Sequence, residues 1–297
     1  MSVQSTGSPD STRIRGVVAA IATPLAGSAP DHDRFISLAR KLLDGGCDGL
    51  NVLGTTGEAT SFTAAQRMGV MTAAAKSLPL SRMMVGTGAA AVGDAVALSQ
   101  HASGLGFAGV LVLPPFYYKG VADAGVISYI GAIVEATKEK ATPVYLYNFP
   151  ALSGVQYTPA LVSALVKNFG TRIAGLKDSS GDLTYAREIA SIPTVDVFPS
   201  NEGTLMDART GGPFAGCISA TANLNSTDCG KAYRDGDTPA LARAVAVRKL
   251  FDGLPLIAGI KTLLAHIHGD PVLEKVMPPL SALPDPAALK ARYQALN

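Results

Sequence analysis

Short apolar runs alternate with helix-spaced stretches along nearly the whole chain. Eight of the runs read as strands, over residues 17–22, 49–53, 83–87, 109–113, 144–148, 173–177, 195–199 and 217–220. Most are continuously apolar, as strands covered on both faces of a parallel sheet should be. Several intervening stretches carry helix starts. Thr63-Ala64-Ala65-Gln66 has the spacing of a capping box. Thr158-Pro159 sets a capping hydroxyl before a first-turn proline, and Asp182 can cap a helix from Leu183 to about residue 192. Gly45-Gly46 and Gly104 suit helix C-termini.

Eight strand–helix units predict an α/β fold, a closed (β/α)8 or TIM barrel, rather than an open doubly wound sheet. No Gly-x-Gly-x-x-Gly follows the first strand, which speaks against a dinucleotide-binding fold. After Asn225 the alternation stops and helical pattern broken by prolines takes over. The expected organisation is a disordered tail over residues 1–13 and a barrel core over 14–226. The last barrel helix and a small C-terminal helical appendage would fill 227–297.

Composition narrows the class. At 297 residues and 47% hydrophobic, the chain can bury a large core and still have apolar surface left for subunit contacts. A net charge of +2 with no Lys/Arg cluster gives no footprint for nucleic acid. No run reaches the roughly 18 apolar residues of a membrane span, and residues 1–12 lack the apolar core of a signal peptide. Three scattered cysteines (Cys47, Cys217, Cys229) read as reduced thiols of a cytoplasmic protein. His32 and His101 fall in helical surface patterns, and His266-x-His268 points two ways around a helix, so no metal site is expected.

A barrel delivers its chemistry at the C-terminal strand ends. The sixth strand, Ile173-Ala174-Gly175-Leu176-Lys177, ends in a lysine. Alone, such a residue could simply reach solvent; at a barrel mouth it can give up its proton and attack a carbonyl carbon. The second strand runs into Gly54-Thr55-Thr56-Gly57-Glu58, either an ordinary tight turn or a nest of N–H groups suited to a carboxylate. Glu58 there reads as an acceptor for loop N–H groups. The fourth strand ends in Pro114-Pro115-Phe116-Tyr117-Tyr118-Lys119, a stiff aromatic platform that could equally serve a subunit contact. The fifth ends in Tyr145-Leu146-Tyr147-Asn148. Period two puts Tyr145 and Tyr147 on one face, where Tyr147 is either a core tyrosine or a proton carrier. The seventh and eighth ends supply Ser200-Asn201-Glu202 and Cys217-Ile218-Ser219.

In order and spacing, Gly54-Thr55-Thr56-Gly57-Glu58, Pro115-Phe116-Tyr117, Tyr147-Asn148-Phe149-Pro150 and Gly175-Leu176-Lys177-Asp178 resemble one family. It is the pyruvate-dependent class I aldolases of the dihydrodipicolinate synthase / N-acetylneuraminate lyase family, and the likeness runs from Gly16 into the C-terminal helices. The resemblance implies a lyase without cofactor or metal. Lys177 would form a Schiff base with pyruvate or another 2-keto acid, and Tyr147 would donate and accept protons there. Thr55 would link Tyr147 to Tyr117, which in this family enters from a neighbouring subunit. Thr56 would hold the pyruvate carboxylate, and Ile218 would pack beside it. It also implies a homotetramer built as a dimer of dimers.

One departure bears on substrate. Dihydrodipicolinate synthases carry an arginine five residues after the tyrosine for the second substrate's carboxylate; here that position is Leu152. A leucine cannot pair with a carboxylate, so 4-hydroxy-tetrahydrodipicolinate synthesis is disfavoured. Asn201-Glu202 lies near the acidic pair with which sialic-acid lyases hold sugar hydroxyls, and Ser179 and Ser219 could add to it. The expected substrate is a 2-keto-3-deoxy sugar acid or an N-acetylneuraminate-like compound. A sugar-acid dehydratase using the same Schiff base, or a non-catalytic keto-acid sensor, stands as the alternative.

Overall fold

The computed structural model describes residues 13–296. Eight parallel strands form one sheet: β1 Gly16–Ala20, β2 Gly49–Val52, β3 Met83–Gly86, β4 Gly109–Val112, β5 Val144–Asn148, β6 Ile173–Asp178, β7 Asp196–Pro199 and β8 Gly216–Ser219. Each pairs with its successor up to β7, and β1 pairs with β8. At the last seam, between β7 and β8, Ala215 N donates to Val197 O at 2.9 Å. The sheet is therefore a nearly closed TIM barrel, as the alternation predicts. The expected tail lies outside the described residues except for Arg13, whose guanidinium donates to Thr194 O at 2.8 Å.

Helices α1 His32–Asp44, α2 Ala64–Ser77, α3 Val92–Leu105, α4 Asp123–Ala136, α5 Pro159–Phe169, α6 Leu183–Ala190 and α7 Ala222–Asp235 surround it. The caps read from the sequence form: Thr63 and Gln66 close a reciprocal capping box, Thr158 accepts from Leu161 N, and Asp182 accepts from Thr184 N and Tyr185 N. One assignment shifts. Gly104 lies inside α3, and the helix ends at Gly106, whose φ of 93° is the left-handed cap that glycine adopts without strain. The segment after β7 is also less regular than a full βα unit, with only a short turn over Glu202–Thr204 and further turns before β8. Gly211-Gly212-Pro213 leaves too little helix-forming chain there. Beyond the barrel follow α8 Thr238–Lys249, α9 Leu256–His268 and α10 Pro286–Gln294.

Strand alternation divides the core in two. Leu50, Val52, Val110 and Val112 face outward under the helices. Val18, Met84, Leu111, Tyr145 and Ile218 fill the lumen. The three cysteines are buried free thiols, and burial pushes the Cys47 thiol up to about 12. Among the described residues no helix is long and apolar enough to cross a membrane.

Two backbones meet at the mouth. A Cβ on Gly86 would stand 2.1 Å from Leu53 O, the residue that leads into the Gly54–Gly57 loop. Neither backbone can move cheaply, so Gly86→Ala is expected to cost about 1–3 kcal/mol. Thermal unfolding checks this; an unchanged midpoint would show that the strands part freely.

Candidate active site

The sheet register builds the centre of the site. β5 and β6 start with Val144 opposite Ile173, then slip by one residue, so that Tyr145 faces Gly175 and Tyr147 faces Lys177. Without the slip Tyr147 would meet Leu176 and the lysine would fall out of phase. Gly175 permits the close fit: a Cβ there would stand 2.4 Å from Asp196 O and 2.8 Å from the Tyr145 ring. Lys177 is 3% exposed, and its Nζ lies 4.4 Å from the Tyr147 ring centroid. The Tyr147 hydroxyl and Thr55 Oγ1 are 3.1 Å apart, joining β5 to the loop after β2. Ile218, fully buried, packs into the same lumen cluster as Tyr147.

The loop bearing Thr55 and Thr56 is strained and held from outside. Leu53 and Glu58, which bracket it, both adopt left-handed backbone, with φ of 53° and 56°. Such residues cost on the order of 1–3 kcal/mol each and persist where surroundings enforce them. The Glu58 carboxylate does the enforcing. It accepts from Met277 N at 2.6 Å and forms an ion pair with Lys261 of α9. Both partners are fully buried, and Lys261 Nζ also donates to Lys275 O at 2.7 Å. Burial pulls the Lys261 ammonium below its usual range, opposed by Glu58. The expectation that Glu58 accepts N–H groups thus meets a backbone donor, but one from the C-terminal appendage rather than from its own loop.

Asp178, after the lysine, accepts from Asn148 Nδ2 at 2.8 Å and from Ser180 N at 3.1 Å. Asn148 Oδ1 in turn accepts from Tyr157 N at 3.1 Å. Burial raises the Asp178 carboxyl above its ordinary value, and these hydrogen bonds oppose the rise. The network ties the ends of β5 and β6 together one residue beyond Tyr147 and Lys177.

A cavity of about 270 Å³ opens beside this centre. Thr55, Tyr147, Phe149, Leu152, Phe116 and Arg67 are among its walls. Leu152 stands on the rim, 61% exposed, and Ser179 is half-buried at the end of β6. Tyr117 lies apart from Tyr147 and Thr55 within one chain; it is 71% exposed and meets Tyr118 edge to face at 5.3 Å. The Asn201-Glu202 pair divides. Asn201 is half-buried and caps the following turn through Gly203 N at 2.9 Å. Glu202 turns fully inward, where it accepts from Ser219 Oγ and Thr221 Oγ1 and pairs with Arg248 of α8 at 3.3 Å. Glu202 and Ser219 therefore spend their polar atoms within this buried cluster with Thr221 and Arg248.

Three residues escaped the sequence reading. Lys261 is a single charge in the apolar run Leu256–His268, and Asn51 is a single amide in the apolar run of β2; both interruptions were visible signals. Arg67 is buried and donates to Gly86 O at 2.8 Å and Gly88 O at 3.2 Å. Nothing in its helical surroundings marks it. Among the described residues no three His, Cys, Asp or Glu side chains gather where they could hold a metal ion.

The model of the dihydrodipicolinate synthetase family matches residues 13–290. A DapA-like lyase of Chloroflexus aurantiacus is 33% identical over 95% of this chain and 97% of its own. YagE of Escherichia coli is 30% identical over 97% of this chain and 99% of its own, and its name assigns it, provisionally, 2-dehydro-3-deoxy-D-gluconate aldolase activity. The crystal structure of YagE with pyruvate superposes with a TM-score of 0.84 over 95% of this chain and 98% of that one, at 28% identity. A dihydrodipicolinate synthase structure from Agrobacterium tumefaciens gives 0.86 at 28% identity, covering 95% and 99% of the two chains. A match that runs from the start of the barrel into the last helices, with relatives of full length and the same fold, places this chain in the dihydrodipicolinate synthetase family as a lyase.

Proposed function

We propose that the protein is a Schiff-base aldolase that cleaves, or in reverse forms, a 2-keto-3-deoxy sugar acid. The observation that carries this reading is the buried Lys177 Nζ against the Tyr147 ring, with Thr55 at 3.1 Å from the Tyr147 hydroxyl, at the C-terminal mouth of the barrel. In this reading the Lys177 amine adds to the ketone of the substrate and expels its oxygen as water, leaving an iminium. The iminium draws electrons from the neighbouring C3–C4 bond. The Tyr147 oxygen takes the proton of the C4 hydroxyl as that bond breaks and an aldehyde departs. The remaining enamine is reprotonated, and water then releases pyruvate from Lys177.

The other roles follow from position. Thr55 relays protons between Tyr147 and Tyr117 of a neighbouring subunit, a task that gives the exposed Tyr117 platform its purpose and calls for at least a second subunit, in keeping with the homotetramer that the family resemblance implies. Thr56 and the N–H groups of its turn hold the substrate carboxylate, and Ile218 packs beside the three-carbon unit. Ser179 and Asn201 face the polyol end. Glu202 and Ser219, bonded to each other, support that loop from within. Leu152 on the cavity rim offers a second carboxylate no partner, which favours an uncharged hydroxylated aldehyde over aspartate semialdehyde. The provisional name of YagE agrees with this choice.

Borohydride reduction in the presence of pyruvate, followed by peptide mass spectrometry, tests the chemistry: a pyruvate-sized adduct on Lys177 is expected, and its absence would end this reading. Turnover of sugar-derived keto acids should exceed that with pyruvate and aspartate semialdehyde, and the reverse order would reject the substrate class. Tyr147→Phe is expected to lower kcat by about 10²–10⁴-fold, measured by steady-state kinetics on the same substrates, and to slow adduct formation as well.

A further inference from the structure

Asn51 has no exposure, and neither its Oδ1 nor its Nδ2 has a partner among the described residues. It lies on β2 opposite Ala20 of β1 and Met84 of β3, both lumen residues. Its neighbours Leu50 and Val52 face outward, so the amide points into the barrel. The amide also reaches up toward the mouth: a Cβ on Gly54 would stand 2.5 Å from Asn51 Oδ1. Gly54 precedes Thr55, which contacts Tyr147, which carries Lys177 on its ring. An orphaned amide thus lies in the lumen just below the loop that reaches the reacting centre, in a barrel interior it shares with apolar side chains, Tyr145, Tyr147 and Lys177.

An unpaired buried amide destabilises a fold, and a leucine of similar volume would fill the place without that penalty. The barrel has no structural use for Asn51 that its neighbours reveal. Resting on the Schiff-base reading above, we propose that Asn51 is a catalytic residue that binds the oxygen leaving the substrate ketone. Lys177 Nζ adds its lone pair to the carbonyl carbon, and one of its protons passes to the oxygen, giving a carbinolamine hydroxyl. The C–O bond then breaks as the nitrogen lone pair forms the C=N bond. A proton delivered through the Tyr147 hydroxyl completes a water molecule. Nδ2–H of Asn51 donates to the oxygen as it gathers charge, and Oδ1 accepts from the water formed. A primary amide serves both states without changing its protonation.

The test compares wild type with Asn51→Leu. Two rates are followed: adduct formation on Lys177 with pyruvate under borohydride, and loss of label from [2-¹⁸O]pyruvate into water. Both are expected to fall by about tenfold or more, the loss of one good hydrogen bond in a transition state, while the melting temperature stays level or rises. Rates within about twofold of wild type would overturn the assignment, whatever the melting temperature does. If the leucine variant does not fold, Asn51→Ala is judged by the same thresholds. A wild type that forms no adduct would instead remove the Schiff-base reading, so the two failures are separable.

Discussion

Lys177→Met is expected to reduce turnover by about 10⁴-fold or more while the protein remains folded. The expectation rests on placement. Lys177 is 3% exposed and sits on the lumen face of β6 against an aromatic ring, where a methionine fits the same channel without a charge. The lysine stem is already packed in the apolar interior, and a methionine of similar length keeps that packing. A level melting temperature should therefore accompany the loss of activity. That combination separates a nucleophile from a structural lysine, whose removal would leave kcat alone. Lys177→Arg gives a sharper control: it keeps a long nitrogen-bearing side chain over Tyr147, yet a guanidinium does not condense with a ketone. Retention of more than about a hundredth of wild-type kcat in either variant would show that the chemistry lies elsewhere.

The second large effect is on stability. Lys261→Met is expected to destabilise the fold by about 3–5 kcal/mol, because it leaves the Glu58 carboxylate buried without its counter-charge. Both side chains are fully enclosed, 1% and 0% exposed, so solvent cannot replace the lost partner. Glu58 also holds Met277 N and closes the strained loop carrying Thr55 and Thr56. The loss should therefore reach the mouth, appearing as a higher half-saturation for pyruvate in borohydride trapping as well as a lower urea midpoint. The double variant Glu58→Gln/Lys261→Met should recover much of the stability, since a glutamine carries no charge and can still accept from Met277 N–H. Additive losses in the double variant would mean that the two residues do not act as a pair.

The strands, most helix starts and the identity of the barrel were legible because they are written locally. A strand covered on both faces must be apolar along its length, and a helix must begin with a side chain that accepts its first free N–H groups. Lys177 stood out for the same reason, as the one charge ending an apolar run. The helix C-terminus at Gly106 was harder to place, because Gly104 and Gly106 both offered a glycine and only the closing of the last turn chose between them. Glu202 and Ser219 show another limit: the sequence places polar residues near strand ends but not which way they turn. Arg248, supplied by a helix outside the barrel, drew Glu202 inward.

The sequence by itself determined the alternation of strands and helices, the barrel class and the residue types at the mouth, since burial pattern and capping depend on neighbours a few positions away. Only the tertiary structure decided which of those residues meet. The one-residue slip between β5 and β6 sets Tyr147 opposite Lys177, and it is accommodated where Gly175 lets the strands and Tyr145 close together. The hold of Lys261 on Glu58 and the amide of Asn51 under Gly54 are likewise matters of packing. Register and the pairing of buried polar groups are settled by contacts between segments distant in the chain, and no local pattern records them.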